Sequence, residues 1–330
     1  MRNSFFLLLL LVSILSVKAQ TYTSPITITS GGTYTGNWLS NDPNIPAVNI
    51  QTTQPVIIQN SRIQSKGVLI NIANTGANVT VKNVCAYGLN PGVAGLNAGR
   101  FIKSSNSNNL VIENNYIEST AGIYILSFQG NGSASQTISI KYNQFLNIEG
   151  RASAGAAYRT DDVGYIKVQA VQFDKVQNKP NLEIAWNQII NEPYNSRSED
   201  VINMYLSSGT TTSPILIHDN YINGSYPAAV ATGSFSGGGI LADGNPTTLA
   251  DATAYLSVYN NQVVATTNYG IGIACGHNNN MYNNRVVASG YLSDNVTFIS
   301  AQNVGAYVDN LHSNPYFSNN NIYNLSLIHI

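Results

Sequence analysis

The chain has 330 residues, 9% of them charged, and a formal net charge of −1. A nucleic-acid partner would need a basic stripe, and none runs through this sequence. Abundant Gly and Asn beside plentiful Val, Ile and Leu exclude a disordered chain and suit one elongated domain built of repeats.

Residues 1–19 predict a cleaved signal peptide. Arg2 gives a positive start, Phe5 to Val17 is apolar, and Val17-Lys18-Ala19 offers a small-residue cleavage site. The apolar run is too short to span a bilayer comfortably. A mature start at Gln20 and a secreted protein, extracellular or periplasmic, with no membrane contact after cleavage, are expected. Residues 20–45 alternate Thr, Ile and Tyr around Gly31-Gly32, as an entry strand or cap that blunts an exposed end.

From residue 46 to 324 one phrase recurs: apolar-x-apolar-x-x-Asn-x-apolar. Leu110 to Ile117 (LVIENNYI) carries it with Asn115 in the slot, followed by copies with Asn143, Asn187, Asn220, Asn261, Asn284 and Asn320. Two earlier copies carry Ser61 and Val84 there. Alternation is the strand period of two, and the slot interrupts it. Asn tolerates the left-handed backbone region, so the slot residue is expected to make a bend between two short strands. The tightest copies, Asn261 and Asn284, are about 23 residues apart, one coil of a solenoid with no insertion. Stacked coils would set each Asn over the last, and an amide both donates and accepts, so such a column satisfies itself. Hairpins of a sandwich would not need one residue at one fixed offset.

A third strand fits between phrases at Ala47–Gln51, Val68–Ile72, Phe101–Ser104, Gly122–Phe128, Val163–Phe173, Val201–Leu206, Gly239–Asp243, Tyr269–Cys275 and Ala306–Asn310. The expected fold is all-β, a single-stranded right-handed parallel β-helix of about nine coils with an Asn ladder. Three strands per coil with this ladder resemble the pectate-lyase-like superfamily, over nearly all of residues 46–324. Cys85 and Cys275 then lie about six coils apart, on the order of 25–30 Å at roughly 4.8 Å per coil, too far for a disulfide. Both are read as small buried hydrophobes.

Long insertions precede the third strand of the central coils, at Gly150–Asp162, Asn191–Asp200 and Asn223–Gly238. Loops on one flank of a rigid scaffold build a groove. The resemblance implies that an extracellular polysaccharide lies in it. The densest charge sits in these loops: Arg159, Asp161 and Asp162, then Arg197, Glu199 and Asp200. Crowded carboxylates repel, so one keeps a proton and acts as acid while another stays a base, the pairing glycoside hydrolysis needs.

Ser198 to Thr210 (SEDVINMYLSSGT) is similar to the paired-Asp strand of polygalacturonase-type glycosidases, and Thr160-Asp161 to part of their Asn-Thr-Asp motif. The Gly-His-Gly motif of that family has no counterpart at Gly237–Gly239, and no Arg-x-Lys follows Gly276-His277. The lyase reading of the resemblance implies a Lys or Arg base, with Lys167, Lys175, Arg159 and Arg197 as candidates, Lys175 being better read as a solvated side chain, and Ca²⁺ held by the acidic residues. Catalytic candidates are therefore Asp161, Asp162, Glu199, Asp200, Arg197 and Lys167. Substrate-binding candidates are Arg159, Tyr165, Tyr205, Asp243 and His277, with Trp186 a further surface for a sugar ring. His218 is expected as a solvated strand residue.

The expected function is cleavage of polysaccharide by a secreted monomer, as lyase or hydrolase. The alternative is a non-catalytic glycan-binding or structural rod at the cell surface. Residues 325–330 (LSLIHI) read as the translation of a sequencing-adapter end, which predicts that the natural C-terminal coils are missing.

Overall fold

A computed structural model of the chain describes residues 20–230, 235–292, 294–299 and 303–329. The signal peptide expected at 1–19 lies outside them. Among the described residues, twenty-eight strands, numbered β1 to β28 in chain order, wind into a right-handed parallel β-helix. Ten form one ladder: β1 (Ile26–Ile28), β4 (Val48–Ile50), β6 (Ile70–Ile72), β8 (Ile102–Ser107), β11 (Ile123–Phe128), β14 (Val171–Asp174), β17 (Asp200–Tyr205), β20 (Gly238–Asp243), β23 (Tyr269–Ile273) and β26 (Val304–Val308). Each of the nine expected third strands overlaps one of these. In Val163–Phe173 only the end is strand, because residues 163–170 belong to an insertion. The tenth, β1, comes from the expected cap.

The remaining eighteen strands form two faces that meet at a bend. The bend is made one residue earlier than the sequence reading placed it. Asn60, Asn83, Asn114, Tyr142, Trp186, Asp219, Asn260, Asn283 and Asn324 occupy successive coils with φ between 48° and 57°. The slot residue that follows each is free to turn its side chain inward. Asn tolerates this backbone at little cost, whereas Tyr142 and Trp186 are bulky side chains held there by the coil around them.

The slot amides form the ladder. Asn115 Nδ2 donates to Asn143 Oδ1 at 2.9 Å, and the chain of bonds continues through Asn187, Asn220, Asn261 and Asn284 at 2.9–3.0 Å. From Asn143 to Asn261 each Oδ1 also accepts the backbone N–H of the preceding rung's Asn. Each of these Nδ2 groups also donates to a strand carbonyl, as Asn187 does to Ile140 at 2.9 Å. A buried primary amide is thereby satisfied at four points, which is why it is tolerated in an apolar core.

Asn320 is not part of this column. Register sets Arg285 beside Ser326, which puts Leu325 in the slot. Asn320 instead receives Asn279 Nδ2 at 3.0 Å, starting a second, shorter ladder one corner away. Ser326–His329 forms β28 on the edge of β25 (Arg285–Ala288).

The interior is filled by columns of aliphatic side chains in register, such as Val48, Ile70, Ile102 and Ile123 on neighbouring rungs. Each fully buried Ile contributes about 1.5–3 kcal/mol of transfer free energy. Cys85 and Cys275 are both free. Cys275 is buried, but Cys85 is only half-buried, on an outward column between Arg62 and Tyr116, contrary to its reading as a core hydrophobe. His218 also differs from expectation. It is 5% exposed, with Nδ1 2.7 Å from Asp219 and Nε2 3.0 Å from Glu183, and stacks on Tyr259.

Candidate functional site: an acidic groove over the ten-stranded sheet

Loops at 147–170 and 191–199, with the described loop residues 226–230 and 235–237, all enter the ten-stranded sheet from the same flank. With the outer face of β14, β17, β20, β23 and β26 they enclose a groove of about 820 Å³. Its floor is set by register. Gln172, Asn203, Leu241, Gly272 and Tyr307 form one outward column; Asp174, Tyr205 and Asp243 form the next. Lys167, Glu199 and Phe235 stand on the loop side, Asp309 and Leu311 on the other.

At the head of β17, Asp200 is 4% exposed yet lines the groove. Asn203 Nδ2 donates to Asp200 Oδ2 at 2.8 Å and to Asp243 Oδ2 at 3.0 Å, tying two carboxyls to one amide. Tyr269 donates its hydroxyl to Asp200 Oδ1. It reaches across the intervening rung because that rung carries Gly238; a Cβ there would overlap both the Tyr269 ring and Asp200 Oδ1. Burial pushes the Asp200 carboxyl up to about 7, and the negative Asp243 adds to the shift, against the lowering effect of the Tyr269 and Asn203 hydrogen bonds. At neutral pH this carboxyl is shared between its acid and its base.

The other sequence candidates fall in three places. Lys167, Glu199, Asp200, Tyr205 and Asp243 line the groove. Lys167 Nζ sits 3.3 Å from Glu199, which holds the ammonium above its usual range. Asp162, Arg197 and Tyr165 form a knot behind the loop wall. Arg197, with no exposed surface, meets Asp162 at 3.4 Å, Glu199 at 3.1 Å and Ser236 Oγ at 2.7 Å, and its guanidinium lies 3.5 Å from the Tyr165 ring centre. Asp162 also accepts backbone N–H bonds from Ala228 at 3.1 Å and Ala229 at 3.3 Å, pinning one groove loop to another.

Asp161 and Arg159 pair with each other in solvent, away from the groove. His277 sits on a corner column between Ala254 and Ser318, with its ring edge-on to Tyr255. Trp186 stacks on Tyr142 on a different face of the coil, 42% exposed.

Sequence reasoning missed Asn203, Tyr269, Tyr307, Gln169 and Asn268, all of which line the groove. Aligning the third strands rung on rung would have placed Asn203 and Tyr307 on one column, with Gly272 opening space for the Tyr307 ring. Tyr269 is found only through Gly238. Among the described residues no group of three or more His, Cys, Asp or Glu is arranged to hold a metal ion. Asp200 and Asp243 are already bridged by an amide, a donor, so this set does not fit Ca²⁺ and no step is drawn through one.

The fold defines the chain as a parallel β-helix protein with a side groove. Compared with family models, curated proteins and solved structures, it finds no match to any of them.

Proposed function

We propose that the protein is a glycoside hydrolase acting on extracellular polysaccharide laid along the groove. The observation that carries this reading is the Asp200–Asn203–Asp243 bridge. Two carboxyls share one amide donor, and one of them is raised to about 7. From the spread of the two N–H bonds, the bonded oxygens lie about 5 Å apart, the separation of retaining rather than inverting glycosidases. Asp200, protonated, donates to the leaving glycosidic oxygen. Asp243, at the outward end of β20, attacks the anomeric carbon, and Asp200 then activates water for the second step. Tyr205, Tyr307 and exposed Phe235 offer aromatic faces for sugar rings. The likeness of Ser198–Thr210 to polygalacturonase-type glycosidases, and of the coil to the pectate-lyase-like superfamily, supports the same reading. Secretion follows from the signal peptide expected at 1–19.

A lyase is less well supported, since it needs a cation against the substrate carboxylate, and Lys167 is already paired with Glu199. One observation favours a non-catalytic glycan binder: both oxygens of Asp200 already accept hydrogen bonds. A panel of neutral, basic and acidic polysaccharides decides between these. New reducing ends without the ultraviolet absorbance of unsaturated sugars, lost in Asp243→Asn, are expected. Binding with no release of reducing ends from any of them would leave the binder.

A further inference from the structure

The groove has a chemical bias that cleavage alone does not explain. Asp174, Glu199, Asp200, Asp243 and Asp309 face it, against Lys167. Among the described residues, seven buried side-chain oxygens lack any partner, and four of them line this groove: Gln169 Oε1, Asp174 Oδ1, Asn203 Oδ1 and Asn268 Oδ1. Gln169 and Asn203 are each only 2% exposed. All four orphans are acceptors. A buried acceptor without a donor costs about 1–3 kcal/mol, so the groove is arranged for a ligand that brings donors.

A neutral hydroxyl brings one donor and two acceptor lone pairs, and it leaves the carboxylates uncompensated as water is displaced. A uronate adds like charge. A primary ammonium brings three donors, no acceptor, and the opposite charge. Tyr205, Tyr269, Tyr307 and Phe235 complete the surroundings, with aromatic faces that suit both a cation and a pyranose ring.

The polar lining is spread along the axis rather than gathered at one point. It begins with Asp174 on β14, continues through Asn203 on β17 and Asp243 on β20, and ends at Asp309 beyond β26. Four rung spacings make this about 20 Å. A linear polymer bearing a cation on each unit matches a row of acceptors repeated rung by rung. We propose that the groove takes a polysaccharide of de-N-acetylated amino sugars, its ammonium groups meeting the orphan acceptors and carboxylates; this rests on the carbohydrate reading of the same groove.

The test is calorimetric binding to the full chain at mildly acidic pH, with the products checked by mass spectrometry. The probes are hexamers of β-linked glucosamine, N-acetylglucosamine and galacturonate, with hexalysine as a non-sugar cation. The glucosamine hexamer is expected to bind at least about tenfold more tightly than the N-acetylated one, with affinity falling as salt rises. Asp309→Asn, at an exposed carboxylate, should weaken it several-fold without lowering the melting temperature, and Asp174→Asn should weaken it as well. Equal binding of the two sugar hexamers, or hexalysine binding as tightly as glucosamine, overturns the proposal. Glucosamine bound but not cut keeps this inference and removes the hydrolase. A neutral glycan cut with no preference for amines does the reverse.

Discussion

Tyr269 donates its hydroxyl to Asp200 from two rungs further along the coil. That bond lowers the Asp200 carboxyl, while burial and Asp243 raise it to about 7. Tyr269→Phe keeps the ring over Gly238 and removes only the donor, so Asp200 should hold its proton to higher pH. If Asp200 is the acid, the alkaline limb of kcat/KM against pH should move up by roughly one pH unit, since a hydrogen bond is worth about 1 kcal/mol. An unmoved limb with a lowered plateau would make Tyr269 a packing residue and separate Asp200 from the proton transfer.

Asp200 also sets a pH dependence of stability. In the unfolded chain it ionises near the ordinary value of 3.8, in the fold at about 7. Between those values the unfolded state binds fewer protons, so stability falls as pH rises through the window and levels off above it. The full shift corresponds to roughly 4 kcal/mol at most. Asp200→Asn cannot ionise and escapes this loss, although its amide mismatches one of the two donors. Relative to the wild type, the variant should therefore gain several kcal/mol of unfolding free energy, read from denaturant curves, between about pH 4 and pH 8. A parallel pH response in both proteins would show that Asp200 is not the group concerned.

The repeat phrase made the fold legible because register in a solenoid is local: each slot Asn bonds the next rung's slot Asn, so one offset repeated down the chain describes the whole coil. It failed where two offsets look alike. Asn320 sits in an apolar-Asn phrase like the others, yet it belongs to the Asn279 corner, and only the pairing of β28 with β25 reveals this. The groove was half legible. Charge density picked out loops that border the groove, but the sequence does not say which carboxylates face inward. Asp161 and Asp162 are neighbours, and one lies in solvent while the other is locked against Arg197. Asn203 and Tyr269 carry no charge to attract notice, and each bonds a carboxylate on another rung.

The ladder predicts unequal costs along its length. Asn187 is bonded at Oδ1 by both the backbone and the side chain of Asn143, and at Nδ2 to Ile140 and Asn220. Asn187→Ala removes four buried hydrogen bonds, leaves the Asn143 N–H without its acceptor and opens a cavity, so a loss of about 3–5 kcal/mol is expected. Asn115 stands at the end of the ladder, where the next slot is already Val84, whose N–H it accepts. Asn115→Ala should cost clearly less. Equal midpoints for the two in chemical denaturation would mean that the ladder is not the cooperative element.

The cysteines differ in reactivity. Burial raises the Cys275 thiol to about 11, whereas Cys85 is half-buried on the outer face. In native buffer a thiol reagent should label Cys85 and spare Cys275, with the second equivalent consumed only on unfolding. Labelling of neither, with both reactive after reduction, would indicate the disulfide that the coil geometry excludes.

Asp162 and Asp161 give the sharpest contrast between neighbours. Asp162 holds one face of a guanidinium with no exposed surface, 3.4 Å away, and accepts N–H bonds from the loop at Ala228 and Ala229. Removing it leaves Arg197 with Glu199 as its remaining ion partner, and breaking one side of a buried ion pair costs about 3–5 kcal/mol. Asp161 pairs with Arg159 in solvent, where two long side chains gain little from each other. Asp162→Ala should therefore lower the melting temperature by several degrees and open the loop at Ala228 and Ala229 to proteolysis. Asp161→Ala should change neither, and since it stands outside the groove it should leave turnover intact as well. If Asp162→Ala instead abolished turnover without loosening the loop, the carboxylate would have to act on substrate rather than hold the wall behind it.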